Sequence, residues 1–194
     1  IGFDLNQVAR VFDAAKTWNL PIKCHAEQLS DMGAAAMSAE RGALSVDHLE
    51  YLSEAAIQTI GKSQSVAVLL PGAFYVLKET QLPPVAALRA AGIPIAIATD
   101  ANPGSSPLFS LLTTMNLSCI LFGLTPLEAL AGCTIQAAKA LGIQNMVGSI
   151  ETGKQADLVL WDCQHPAELS YQIGFNPCSK VMQAGKWRNN QFTS

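Results

Sequence analysis

The chain has 194 residues, of which 49% are hydrophobic and only 14% charged, and 12 Lys and Arg against 15 Asp and Glu leave a net charge of −3. This composition excludes disorder, which needs low hydrophobicity and high charge, and offers no basic surplus for a nucleic-acid partner. The length suits one domain or a large piece of a bigger one, with a core buried on both faces of an α/β sheet.

In chain order, a helical pattern over Leu5–Trp18 precedes the first apolar run, Pro21–His25. Three more runs follow at Leu44–His48, Val66–Leu70 and Ile93–Thr99. They are continuous and β-branched, as parallel strands covered on both faces should be. Helical patterns separate them: Ala34–Glu40, then Ser53–Ile60 with Ser53 as N-cap and Gly61 as C-cap, then Pro84–Ala91 stopped by Gly92. The run ends, at 25, 48, 70 and 99, recur with a β/α period. A doubly wound sheet and part of a (β/α)8 barrel both give that period. A whole barrel needs about 250 residues, so four strands make half of one.

Beyond Asp100 the texture changes. Thr125-Pro126-Leu127-Glu128 has capping-box form, and Thr134–Leu141, closed by Gly142, reads as a short helix. Asp157–Trp161 and Lys180–Ala184, the latter ended by Gly185, read as strands of a satellite β-unit. The expected division is 1–145 for the β/α part and 146–194 for the β-unit.

The five cysteines (24, 119, 133, 163, 178) show no paired spacing, which predicts reduced thiols and a cytoplasmic protein. No apolar run approaches a membrane span, so neither a membrane nor a nucleic acid is an expected partner. The chain opens IGFDLNQ, with no signal-peptide pattern and no initiator Met. That opening is compatible with the back part of a longer polypeptide.

Chemistry concentrates at the strand ends. Of the three His residues, His25 and His48 each end a strand, and a third strand ends in Asp100. In a parallel α/β architecture this edge binds ligands, and His with carboxylate is the usual ligand set of a hydrolytic Zn²⁺ or Fe site. The bland alternatives are hydrogen-bonded structural histidines and an Asp100 that only caps its loop. His165 reads as a surface residue. Asp100 opens the tight loop Asp-Ala-Asn-Pro-Gly-Ser-Ser-Pro, whose Asn102, Ser105, Ser106 and backbone N–H groups can face a carboxylate or oxyanion. Gln28 leaves the first strand at the same rim, able to hydrogen-bond an amide-like substrate. Glu27 reads equally as a helix-start charge. The segment Leu69–Ala73 has no ionisable group and reads as pocket wall.

Five stretches carry a family resemblance: KCHAEQLSDMGAAAMSAERGALSVDHLE (23–50), AVLLPGAFY (67–75), IATDANPGSSP (97–107), LTPLEALAGCTIQAAKALG (124–142) and GSIETGKQADLVLWD (148–162). Together they resemble the C-terminal half of the imidazolonepropionase family of metal-dependent amidohydrolases. The last stretch is common to many amidohydrolases, whereas DHLE, LLPG and TDxNPGSSP in this order are specific to the family.

The resemblance implies the C-terminal half of a (β/α)8 barrel with part of a small β-sandwich. It implies hydrolysis of the ring amide of the small molecule 4-imidazolone-5-propanoate to N-formimidoyl-L-glutamate, with one Zn²⁺ or Fe³⁺ ion, in histidine degradation. By position, His25 and Asp100 match metal ligands, and Asp100 and His48 match the catalytic pair. Gln28, Asn102, Gly104 and Ser105 match substrate contacts. A homodimer is expected of the complete enzyme. The family's first-strand His-x-His pair has no counterpart here, so this chain is expected to be a partial sequence, inactive alone. The alternatives are another amidohydrolase, such as a heterocycle aminohydrolase, or a non-catalytic fragment.

Overall fold

Each of the first four strands is followed by at least one helix in the computed structural model, which describes residues 2–188. The order is α1 (Leu5–Thr17), β1 (Lys23–Ala26), α2 (Ala34–Glu40), β2 (Ser45–His48), α3 (Glu54–Gly61), β3 (Val66–Leu69), α4 (Pro71–Leu77), α5 (Val85–Ala90) and β4 (Ile95–Ile97). Then come α6 (Leu111–Phe122), α7 (Pro126–Cys133), α8 (Ile135–Ala140), β5 (Leu158–Trp161), α9 (Glu168–Tyr171), β6 (Cys178–Gln183) and β7 (Lys186–Trp187).

The first four strands form one parallel sheet in the order β1-β2-β3-β4. Its register aligns His25 with Asp47, Ser45 with Val66, and Ala67 with Ile95. A doubly wound sheet reverses its strand order at a switch point. Here neighbours in sequence are neighbours in space throughout, so the sheet is a (β/α)8-type segment. β2 and β3 are buried along their whole length. One face packs Val46, Ala67, Leu69 and Ile97 against the helices, with Ile57, Leu88, Met115 and Phe122 in the same cluster. The opposite face of β3 and β4 sets Val66, Val68, Leu70 and Ala96 against Ala140 of α8. Continuous apolar runs are thus the mark of strands covered on both faces.

Side-chain caps fix the starts of α1, α6 and α7. Asp4 and Gln7 close a reciprocal capping box on α1, and Thr125 and Glu128 close the predicted one on α7. Two expected caps differ. Ser53 stands at the N-cap of α3 in extended conformation, yet its side chain makes no capping bond. Gly61 lies inside the last turn without a left-handed φ, and Lys62 is the C-cap.

Three helices carry no legible periodic signal. α4 begins at Pro71 directly beyond β3, so the expected pocket wall is a helix start with Pro in its first turn. A Cβ on Gly72 would come within 2.7 Å of both Ser106 Oγ and Leu108 Cδ2. Glycine therefore lets α4 lie against the loop after β4. α6 buries the polar Thr114, Asn116 and Ser118 and exposes the apolar Leu111 and Ile120, which erases its helical period. α9 is a single turn of four residues.

β5, β6 and β7 form a separate antiparallel sheet. β6 ends at Gln183, one residue before the expected end, because Ala184 and Gly185, with φ of 49° and 76°, make the tight turn into β7. Of the expected division at 145/146, residue 1 and residues 189–194 lie outside the described residues. Among the described residues no helix is long and apolar enough to cross a membrane, and all five cysteines are free.

Candidate metal centre

Three strand ends deliver the side chains that the sequence singles out. His25 leaves β1, His48 ends β2, and Asp100 follows β4. His48 Nε2 lies 3.1 Å from His25 Nδ1 and 3.9 Å from Asp100 Oδ2. One ligand atom from each of the three lies within 4.8 Å of the others, close enough to hold one cation. The rings of His25 and His48 meet edge to face at 4.8 Å.

The backbone is bent to make this possible. Among the described residues, seven non-glycine residues have left-handed φ, and four of them, Glu27, His48, Leu49 and Asp100, sit at these strand ends. Left-handed φ is unfavourable for residues with a Cβ, by about 1–3 kcal/mol in sparsely populated regions. Packing must hold each in place. The N–H of Leu49 donates to Ala26 O and that of Tyr51 to Glu27 O, which ties the bend after β2 to the end of β1.

Burial divides the trio. The His25 side chain is 59% exposed, Asp100 17% and His48 only 2%. Burial, and secondarily His25, pulls the His48 imidazole down to about 4, so His48 is neutral at pH 7 and acts through hydrogen bonds. Two acids that the sequence reading passed over stand behind the histidines. Asp47 Oδ2 is 3.7 Å from His25 Nε2, and Ser45 Oγ donates to Asp47 Oδ1 at 2.6 Å. Burial raises the Asp47 pKa, Ser45 opposes that rise, and Asp100 adds to it. Glu50 Oε1 is 3.9 Å from His48 Nδ1, and its carboxyl is pushed up to about 7, chiefly by burial. Asp47 pairs in register with His25 across β1 and β2, a relation that alternation within one strand does not reveal.

The remaining candidates fall into two groups. Asn102 lies in the loop beside Asp100, where its Nδ2 donates to Asp100 O at 2.7 Å and to Ser105 Oγ at 3.1 Å. Its Oδ1 accepts from the N–H groups of Gly104 and Ser105 at 2.9 and 2.7 Å. The two N–H groups expected to face an anion are therefore occupied by the Asn102 amide, and the loop is braced from within. Ser106 Oγ donates to Thr99 O at 2.6 Å. Gln28 is half-buried beside β1. Glu27 is buried and accepts from the N–H groups of Ala35 and Met32, which is the helix-start role at α2. His165 is exposed and accepts from its own loop at Ala167. An apolar cavity of about 1080 Å³ between α4, α6 and α9 has none of the three cluster residues in its lining.

The chain has known relatives. It is 58% identical over 186 residues to an imidazolonepropionase of Ruegeria sp. (strain TM1040), a match covering 96% of this chain and 46% of the relative. It is 59% identical, with the same coverage, to an imidazolonepropionase of Paracoccus denitrificans (strain Pd 1222). The chain thus spans about half the length of these curated relatives. Among solved structures, an adenosine deaminase from Xanthomonas campestris with bound zinc superposes with a TM-score of 0.76 at 26% identity, over 92% of this chain and 47% of that one. Atrazine chlorohydrolase from Arthrobacter aurescens, complexed with zinc, superposes at 0.71 and 17% identity, over 91% and 45%, a likeness of fold. The profile of the Amidohydrolase family spans residues 1–188, and the chain belongs to that family.

Proposed function

We propose that this chain contributes the C-terminal half of an imidazolonepropionase, an enzyme that hydrolyses the ring amide of 4-imidazolone-5-propanoate to N-formimidoyl-L-glutamate in histidine degradation. The observation that carries this reading is the convergence of His25, His48 and Asp100 in a chain 55–59% identical to proteins of that name. The left-handed bends at these strand ends support a built site, because such conformations persist where the surroundings enforce them. The five free cysteines support a reducing cytoplasmic setting.

The donor set fits a metal ion. Nitrogen from His25 and a carboxylate oxygen from Asp100 are ligands that Zn²⁺ and Fe³⁺ both accept. Such an ion, when bound, brings the pKa of a water toward neutrality and polarises a carbonyl. The chain's own groups supply the proton chemistry. Asp100, 17% exposed and itself a member of the cluster, takes a proton from the attacking water. Neutral His48 offers Nε2–H to the oxygen that becomes the oxyanion. Asp100 then returns its proton to the departing ring nitrogen. Gln28 and the loop of Asn102, Gly104 and Ser105 form the rim for the substrate, with the Asn102 amide holding the Gly104 and Ser105 N–H groups and so fixing the loop's shape. The division near residue 145 separates this catalytic half-barrel from the β-unit.

The test uses the full-length, metal-loaded protein. It should consume 4-imidazolone-5-propanoate and release N-formimidoyl-L-glutamate. A preparation that leaves this substrate intact but deaminates a heterocyclic amine makes the chain part of an aminohydrolase instead.

A further inference from the structure

We propose that Ser106 is a positioning residue for Asp100: its buried hydroxyl holds the Thr99 carbonyl, and with it the left-handed turn that presents the Asp100 carboxylate to His25 and His48, in a space that the missing side chain of Gly72 leaves open. This inference rests on the role given to Asp100 above.

The direction of a side chain is set by the two peptide planes that flank it. Asp100 has a φ of 50°, a conformation that Asp adopts more readily than most residues but that its surroundings must still hold. Side chains of its own loop hold both planes. Ahead of Asp100, Ser106 Oγ donates to Thr99 O at 2.6 Å. Behind it, Asn102 Nδ2 donates to Asp100 O at 2.7 Å. The Thr99 carbonyl belongs to the peptide group that enters Asp100, so fixing that oxygen fixes the plane from which φ is measured. The Asp100 carbonyl fixes ψ in the same way. With both planes held, Asp100 Oδ2 lies 3.9 Å from His48 Nε2, and the carboxylate shares one cluster with His25.

Ser106 is not free for another role. It is fully buried, and its single O–H donor is used on the main chain. Its own carbonyl accepts from the Asn102 N–H at 3.0 Å, which closes the loop with one antiparallel bridge. Ser105 differs: it is half-buried, and its hydroxyl meets the Asn102 amide. The two adjacent serines therefore divide the work, Ser105 at the rim and Ser106 beneath it.

Gly72 completes the arrangement from α4. The N–H of Ala98 donates to Leu69 O at 3.2 Å, so the chain leaves β4 alongside the residues that open α4. A Cβ at position 72 would stand 2.7 Å from Ser106 Oγ and from Leu108 Cδ2, inside the separation at which packed atoms attract. The Leu108 methyl is the end of a half-buried side chain and can swing aside, whereas Ser106 Oγ is tethered to Thr99 O. A side chain at 72 would thus reach Asp100 through Ser106.

The experiment measures Zn²⁺ affinity, by competition with a chelator, and steady-state kinetics on the full-length protein and on S106A, G72A and G72A/S106A. S106A should weaken Zn²⁺ binding about 10-fold and lower kcat about 10–100-fold, the range for residues that orient a metal ligand, with KM within about threefold of the parent. A serine that only braced the loop would loosen the rim instead, raising KM while Zn²⁺ affinity and kcat stayed at parental values. G72A should reproduce the S106A losses. The double variant should lose little more than S106A alone, because both changes act through one hydrogen bond. Parental Zn²⁺ affinity and kcat in S106A overturn the proposal, as do S106A and G72A losses that multiply in the double variant. Should the variants fail to fold, a crystal structure of the zinc-loaded parent with N-formimidoyl-L-glutamate decides. Ser106 Oγ on Thr99 O supports the proposal, and Ser106 Oγ turned to the ion or the product overturns it. Should the parent leave imidazolonepropionate untouched, the functional reading fails while the Zn²⁺ affinities still test Ser106.

Discussion

The two sheets of this molecule use the left-handed region of backbone space for opposite ends. In the antiparallel β5–β7 unit, Ala184 and Gly185 turn left-handed to close a tight hairpin, and the exposed side chains nearby do little more than cap it. At the C-terminal edge of the parallel sheet, Glu27, His48, Leu49 and Asp100 adopt the same conformation, and Glu27, His48 and Asp100 carry buried or half-buried polar side chains. There the bend aims groups at one another instead of reversing the chain. Strain coupled to buried titratable groups is the mark of a site. Strain in a solvated turn is only a connection.

Substitutions should separate the regions by what they damage. Asp100→Asn removes a metal-binding charge and a proton acceptor together. It should lower kcat by about 10²–10⁴-fold from lost proton transfer alone, with metal content reduced after dialysis. His48→Ala should lower kcat by about 10²–10³-fold while retaining metal, as measured by metal analysis beside steady-state kinetics.

A pH experiment sharpens the comparison. His48 falls from an ordinary 6.5 to about 4 on folding, so the unfolded chain binds the proton first and stability drops as pH falls from 6.5 to 4. Glu50 rises from an ordinary 4.5 to about 7, so the folded chain holds the proton longer and stability drops as pH rises from 4.5 to 7. Each contribution is at most about 3 kcal/mol, and the two offset one another between 4.5 and 6.5. Removing the Glu50 contribution with Glu50→Gln should expose the His48 contribution. Stability of the metal-free variant should then rise with pH across that window more steeply than the parent's, read by denaturant unfolding at several pH values.

Smaller effects are expected away from the strand ends. Glu128 caps α7 and accepts a two-pronged Arg89 bond at 2.6 and 2.7 Å, which with the cap holds its carboxyl at about 2. Glu128→Ala should lower stability by about 1–2 kcal/mol and leave kcat of the folded enzyme unchanged. In the β-unit, Asp157 Oδ1 accepts from Ala184 N at 2.7 Å on an exposed surface. Asp157→Ala should cost about 1 kcal/mol or less, with no change in kcat. A kcat loss as large as that of His48→Ala would erase the distinction between the two sheets.

What could be read from the sequence follows the same divide. The four parallel strands were legible because burial on both faces writes continuous apolar runs, and His25, His48 and Asp100 stood out as polar residues closing those runs. α6 was not legible because it buries the polar Thr114, Asn116 and Ser118 while leaving the apolar Leu111 and Ile120 exposed. Glu50 was not, because its place behind His48 depends on two left-handed residues, His48 and Leu49, neither of which is a turn former. Asn102 was legible as a polar residue of the loop after Asp100, but its brace across Gly104 and Ser105 depends on the loop's closed shape.

The most direct measurement is anomalous diffraction from crystals of the full-length, metal-loaded protein. The account predicts one ion bound by a His25 nitrogen and an Asp100 oxygen, each at about 2.0–2.2 Å, with His48 alongside. An ion bound elsewhere, with His25 and Asp100 both outside its coordination shell, would contradict it.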